Sequence, residues 1–349
     1  MPIDAAVADA LGPYGWNDRW LALVNAAGVT GGRPGRIVQH DGVAVSTALP
    51  DGVSHLGLRP ANPPLAVGDW VVADPEDRVA ELLPRASLLS RRDAEGDEDQ
   101  PVAANVDTLV IVCGLDRPVR TGRIQRSVAQ AWDAGATPLL VLTKTDLDPS
   151  GEAAAVATEA AREADPTLEV LSVAAKAGEG LDELAAHAVD RTIVLFGESG
   201  AGKSTLLNAL VGEERATTGE VRSGDAKGRH TTTARTLHLL PGGGCLIDTP
   251  GVRALGLSAD AEAVDATFDD ITAFEAACRF RDCRHDQEPG CAVRAAVEAG
   301  DLSAERLEAF HRLRREAEGV ALRNDEAARR KVDRDFAKIA KEAQRHKRG

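Results

Sequence analysis

Aromatic residues are scarce. Phe, Trp and Tyr make up 3% of the 349 residues, so the cores must be built mostly from Ala, Val and Leu. No apolar run reaches the roughly 18 residues a membrane-spanning helix needs, and no membrane partner is expected. The first ten residues carry Asp4 and Asp9 and lack a basic stretch, so no signal peptide is expected either. Five cysteines are a poor basis for a disulfide scaffold, and without an export signal the expected compartment is a reducing cytoplasm. Cys113 and Cys245 lie in apolar, strand-like runs and read as inert core residues, whereas the other three cluster between Cys278 and Cys291.

What is present fits a soluble protein of two or three domains, 43% hydrophobic and 28% charged. The net charge of −14 argues against a nucleic-acid partner, but its distribution does not. From Arg329 to Gly349 nine Lys and Arg face three Asp and Glu, a local +6 that leaves −20 on the remainder. An acidic body with a basic arm can bind RNA locally.

Between about Asn25 and Pro84 short apolar runs are broken by Gly and Pro: Gly35–His40, Val43–Ser46, Asp69–Ala73 and Val79–Leu83. That spacing predicts a small all-β barrel. Arg91–Gln100 reads as a charged loop or linker. From Asn105 the pattern changes to buried strands alternating with helices: Val106–Cys113, Thr137–Leu142, Leu168–Val173, Thr192–Phe196, Thr236–Leu240 and Cys245–Asp248, with helices at Ala153–Glu163 and Leu181–Ala188. This is the signature of a parallel α/β sheet. Beyond Phe268 the chain reads as helical.

The chemistry lies in three short motifs whose order is unusual. Gly197-Glu198-Ser199-Gly200-Ala201-Gly202-Lys203-Ser204 follows an apolar strand and precedes the helix opening at Thr205, the context a phosphate-binding loop requires. Its backbone N–H groups and the helix N-terminus would hold phosphates, Lys203 would neutralise the β- and γ-phosphates, and Ser204 would coordinate Mg²⁺. Asp248-Thr249-Pro250-Gly251 lies 45 residues after Lys203 at a strand end, where Asp248 can hold Mg²⁺ through water and the Gly251 amide can meet a γ-phosphate. Between them Gly228-Arg229-His230-Thr231-Thr232-Thr233 stands where a first switch loop belongs; one of its threonines, Thr232 for preference, would complete the Mg²⁺ shell only when a γ-phosphate is present. The guanine-reading element, Thr143-Lys144-Thr145-Asp146, precedes the phosphate loop instead of following DxxG. Asp146 would accept two hydrogen bonds that adenine cannot offer. Lys144 would cover the base plane, and Thr143 replaces the usual Asn. Ser172-Val173-Ala174-Ala175-Lys176 matches a SAK element, Ala174 replacing Ser and the Ala175 amide still free to meet the guanine oxygen.

Val252-Arg253 follows Gly251, so the glutamine that many GTPases use to orient water is missing. Either His230 orients the water, or a partner supplies the group and His230 is an ordinary exposed histidine. Finally, Cys278-x4-Cys283-x-His285-x5-Cys291 supplies three thiolates and one imidazole, a closed tetrahedral set for a structural Zn²⁺.

Taken together these residues resemble the ribosome small-subunit-dependent GTPase A family, the bacterial circularly permuted GTPases. The resemblance runs over nearly the whole chain: Val67-Gly68-Asp69-Trp70-Val71, Ala103-Ala104-Asn105-Val106-Asp107, TKTD, the phosphate loop, GRHTTT, DTPG and Cys278–Val293. It implies an N-terminal OB-fold RNA-binding domain over 1–92, a permuted P-loop GTPase domain over 101–258, and a helical zinc-binding domain with the basic tail over 259–349. It also implies GTP hydrolysis to GDP stimulated by the small ribosomal subunit and its rRNA, late in that subunit's maturation; a monomer is expected. Two other readings remain: a GTP-regulated RNA-binding module whose hydrolysis is incidental, and an ATP-using small-molecule kinase, which Asp146 opposes.

Overall fold

The computed structural model describes residues 5–40, 44–92, 99–212, 235–249, 264–265, 267–315 and 317–319. His230, Thr231, Thr232, Gly251 and the Arg329–Gly349 tail lie outside the described residues. The chain divides into two compact units, one of Met1–Arg91 and Gln100–Leu255, the other of Arg92–Asp99 and Gly256–Gly349.

The first unit opens with helices α1 (Ala5–Leu11) and α2 (Asp18–Ala27). The Asn17 side chain caps α2 by accepting from the backbone N–H groups of Arg19 and Trp20. Strands β1 (Arg33–His40), β2 (Ala44–Leu49) and β3 (Gly52–Gly57) then form an antiparallel meander, and β4 (Trp70–Ala73) and β5 (Val79–Leu82) pair back onto the other edge of β1. A parallel bridge from Gly57 to Arg78 brings the end of β3 to the start of β5, so the strands run in the cyclic order 1-2-3-5-4-1. Ile37, Val45, Leu56, Val71 and Val79 fill the space they enclose. Trp20 stacks on Trp70 at 5.4 Å and Trp16 tilts against it at 5.2 Å, so these tryptophans form a core between the helices and β4.

Strands β6 (Leu88–Arg92) and β7 (Asp99–Ala104) form a separate pair. Arg91, Arg92, Asp99 and Gln100, expected as loop, are therefore strand ends.

The α/β part comprises β8 (Thr108–Gly114), α3 (Thr121–Asp133), β9 (Thr137–Thr143), α4 (Glu152–Ala164), β10 (Val170–Val173), α5 (Leu181–Ala188), β11 (Thr192–Gly197), α6 (Lys203–Val211), β12 (Arg235–Leu239) and β13 (Cys245–Asp248). Strands 10-9-8-11-13 are parallel neighbours in that order. Alternate residues of β8 go to opposite faces: Leu109 and Ile111 toward the α3 and α4 side, Val110 and Val112 toward α5 and α6. Both faces are covered, which is why the strand reads as one apolar run. Cys245 is buried, and burial pushes the Cys113 thiol up to about 11, in keeping with inert core positions. Antiparallel β12 lies between β13 and β1, so barrel strands and parallel strands share one sheet.

A buried cation organises the junction. The Arg36 guanidinium on β1 donates to the carbonyls of Tyr14, Gly68 (3.2 Å) and Asn105 (3.1 Å) and to Thr192 Oγ1 on β11 (2.9 Å). Burial lowers its pKa, opposed by the nearby charges of Cys245, Asp107 and Asp69. Gly68 (φ +92°) permits the close approach, since a Cβ there would meet the Ala104 carbonyl at 2.2 Å. Asn105 Nδ2 donates to Gly68 O at 3.0 Å, and its Oδ1 accepts from Ala86 N at 2.8 Å. Asp69, fully buried, takes a two-pronged ion pair from Arg85 at 2.7 Å.

In the second unit, α7 (Asp269–Glu275), α8 (Ala292–Ala299) and α9 (304–315) pack around Phe268 and Phe310, whose rings meet edge-on at 5.5 Å.

Arg36→Met should lower the unfolding free energy of the first unit by about 2–4 kcal/mol, because buried carbonyls lose their donor. Urea unfolding followed by tryptophan emission measures it.

Candidate nucleotide site and metal centre

Parallel strands bind ligands beyond their carboxyl ends, and there the sequence motifs meet. Register places Thr143 of β9 opposite Gly114 of β8 and Val173 of β10, and Gly197 of β11 opposite Val112 of β8. TKTD, the SAK-like segment and the phosphate loop thus lie along one edge, and Asp248 closes β13 two strands from β8.

The phosphate loop turns between β11 and α6 on glycines with positive φ. Gly197 passes so near β8 that a Cβ would meet Val112 O at 2.3 Å, and a Cβ at Gly202 would stand 3.1 Å from Thr143 Oγ1. Lys203 opens α6, and its Nζ donates to Gly197 O at 2.6 Å and Glu198 O at 2.7 Å. Glu198, Ser199, Gly200 and Ser204 are exposed, Thr205 is half-buried and Ala201 is buried against the sheet. Burial raises the pKa of Asp248, while His238, Lys203 and the Thr249 N–H act to lower it. The carboxylate is therefore costly to keep charged in the absence of a cation.

Thr143 ties two of the motifs together. Its buried hydroxyl donates to the Ala201 carbonyl at 2.5 Å, joining the TKTD segment to the Gly197–Ser204 loop. Lys144 takes a left-handed conformation (φ +64°), with its stem against Gly114 and its Nζ 2.8 Å from Asp116 Oδ2. The hydrogen bond from Lys144, opposed by burial and aided by Arg117, holds the Asp116 carboxyl below the usual range. Asp146 sits exposed in the 3-10 turn Thr145–Leu147. At the end of β10, Ala174 N donates to Glu179 O at 3.0 Å, which folds Ala175 and Lys176 into a turn beside TKTD. Asp116, Arg117 and Arg123 were not singled out from sequence; the polar run Asp116-Arg117 directly after an apolar strand was the available signal.

In the second unit, donor atoms of Cys278, Cys283, His285 and Cys291 lie within 4.8 Å of one another. Zn–S and Zn–N bonds of about 2.3 and 2.0 Å imply tetrahedral edges of about 3.8 Å between sulfurs and about 3.5 Å from sulfur to nitrogen. The observed separations are 4.0 Å between the sulfurs of Cys278 and Cys291, and 3.7 and 3.4 Å from these to His285 Nδ1. The donor set is thus compatible with zinc. Glu275 Oε1, 2.8 Å from His285 Nε2, orients the ring so that Nδ1 faces the sulfurs. Sequence spacing gave no sign of Glu275, which precedes the cluster on α7. Burial raises the Cys278 thiol, but N–H groups of Ala292 and Val293 and the thiols of Cys283 and Cys291 outweigh it. Burial and the sulfurs of Cys291 and Cys278 push Cys283 up to about 11, and a bound cation would displace that proton.

The purified chain should carry about one equivalent of Zn²⁺ by elemental analysis, as one tetrahedral set implies. Cys291→Ser should lose most of that metal and the exchange protection of 278–300. Full retention would remove the metal centre.

The family model of the RsgA GTPase matches residues 82–258. A second model, of 50S ribosome-binding GTPases, matches 192–346, starting at β11 and leaving TKTD outside. The small ribosomal subunit biogenesis GTPase RsgA of Streptomyces coelicolor is 42% identical over 97% of this chain and 96% of its own length. That of Xylella fastidiosa is 46% identical over 74% and 75%. Among solved structures, YjeQ from Thermotoga maritima aligns with a TM-score of 0.62 at 26% identity, covering 82% of this chain and 99% of its own. YloQ, a circularly permuted GTPase, aligns at 0.61 and 24% identity over 82% and 96%, a likeness of fold. The motif order, the strand order and these matches agree, and the chain belongs to the RsgA GTPase family.

Proposed function

We propose that the chain binds and hydrolyses GTP while acting on the small ribosomal subunit during its maturation, and that the subunit accelerates turnover. The observation that carries the nucleotide half of this reading is the 2.5 Å hydrogen bond from Thr143 to Ala201. It makes the base-reading segment and the phosphate loop parts of one site. The subunit half rests on the relatives, whose name is small ribosomal subunit biogenesis GTPase.

In this reading the amides of Gly197–Gly202, Lys203, Ser204 and Thr205 hold the phosphates. Asp146 and the Ala175 amide, beside Ala174, read guanine, and the Lys144 stem covers its plane. Ser204, Asp248 and Thr232 would hold Mg²⁺, which when bound supplies positive charge to the β- and γ-phosphates. The Gly251 amide meets the γ-phosphate, and His230 is a candidate for orienting water. One Zn²⁺ in the Cys₃His set stabilises the helical domain of 259–349. The cyclic 1-2-3-5-4-1 strand order supports an OB-fold RNA-binding domain over 1–92, beside a GTPase domain over 101–258. The protein works as a cytoplasmic monomer.

Asp146→Asn should exchange guanine preference for xanthine, since the amide donates where the carboxylate accepted. Competition binding with GDP and XDP reads it. Thr143→Val should weaken GDP and GTP binding equally, by about tenfold, because a buried carbonyl loses its donor.

The deciding experiment is single-turnover GTP hydrolysis with purified small subunits, large subunits and free rRNA. Stimulation by small subunits alone is expected. Equal rates in every arm would favour the regulated binding module, the reading supported by Val252-Arg253 standing where the glutamine would follow Gly251.

A further inference from the structure

Five charged side chains form a chain along the rim of the nucleotide site. Lys144 Nζ lies 2.8 Å from Asp116 Oδ2, and Arg117 Nη2 lies 3.3 Å from the same oxygen. Arg117 Nη1 also stands 3.8 Å from Glu198 Oε2, and Arg123 Nη1, in the first turn of α3, stands 2.6 Å from it. Arg117 crosses over the phosphate loop, its Nη2 3.1 Å from where a Cβ on Gly200 would be.

Glu198 is the odd member. It places a carboxylate on the loop that must receive a polyanion, while its own carbonyl accepts from Lys203. The side chains of Glu198, Arg117 and Arg123 are 44%, 43% and 40% exposed. Pairs so exposed add little to folding stability, so the arrangement has to be judged by its field at the neighbouring phosphates.

We propose that Arg123, with Arg117, is a positioning residue for nucleotide binding: the two arginines neutralise Glu198 and hold its carboxylate away from the phosphates. The inference rests on the nucleotide-site reading above and deepens it, naming the charge balance that sets affinity for a guanosine diphosphate or triphosphate. Once Arg123 is removed, Glu198 repels the phosphates; once both are removed, the balance is restored.

The test is titration of the full chain with fluorescently labelled GDP at low salt. Arg123→Met keeps the apolar stem and should weaken binding about fivefold, the scale of one charge acting across several ångströms at the surface. Glu198→Gln alone should tighten binding about threefold by the same measure, because the arginines are then uncompensated. Arg123→Met combined with Glu198→Gln should return to within about twofold of the unchanged chain. All three differences should shrink at about 0.5 M salt, where the screening length is only a few ångströms. A double variant as weak as Arg123→Met, or a loss indifferent to salt, would make the role of Arg123 structural and overturn the proposal. Should Arg123→Met not fold, Glu198→Gln still decides: unchanged or weaker binding overturns it. If the unchanged chain binds no GDP at all, the nucleotide-site reading itself fails, and this inference with it.

Discussion

The buried guanidinium of Arg36 is the constraint from which the first unit's arrangement follows. A cation out of water must have its donors satisfied, and here the acceptors come from separate parts of the chain: the N-terminal turn at Tyr14, the Gly68 turn before β4, Asn105 before β8, and Thr192 at the start of β11. Each acceptor is itself fixed. Gly68 is held by Asn105 Nδ2, and Thr192 N donates to Asp107 at 2.7 Å, which sets β11 beside β8. The VGDW and AANVD segments are thus two sides of one polar joint. Their residue types follow from that joint: a glycine where Ala104 O crowds the backbone, an aspartate for Arg85, and an asparagine that both donates and accepts.

From that joint the sheet carries its order outward. The α/β part places TKTD, the SAK-like turn, the phosphate loop and Asp248 at one edge although the chain visits them in a rotated sequence. Cutting a GTPase open and rejoining it leaves strand adjacency unchanged, because adjacency is decided by buried faces and register and not by which element is made first. Thr143 illustrates the economy of the result. A short hydroxyl at the end of β9 reaches Ala201, where Gly202 leaves room for it.

Much of this was readable from sequence wherever physics leaves a periodic or compositional trace. The parallel strands are doubly buried and therefore apolar throughout, and their predicted limits agree with the observed ones to within a residue or two. The phosphate loop could be read because backbone approach demands glycines at set positions. What escaped lacks such a trace. In β3 only Leu56 is buried, so its sequence carries no alternation to detect. Helix α2 did carry one, in the Asn17 cap and the stripe of Trp20, Leu23, Val24 and Ala27, but the stretch before Asn25 was assigned no element. Arg36, Glu275 and Arg123 were invisible for another reason. Their roles come from partners distant in sequence, and a lone charged residue looks the same whether it is buried, bridging or solvated.

The strand ladder is also uneven. Among the described residues seven pairs align between β8 and β9 and six between β2 and β3, whereas β12 meets β1 through two, Gln39 with Thr236 and His40 with Arg235. So short a ladder leaves the tie between β1 and the parallel strands to the Arg36 guanidinium, which reaches Asn105 and Thr192 past the end of it. In mechanical terms the short ladder is a seam, and Arg36 is the rivet that keeps it shut.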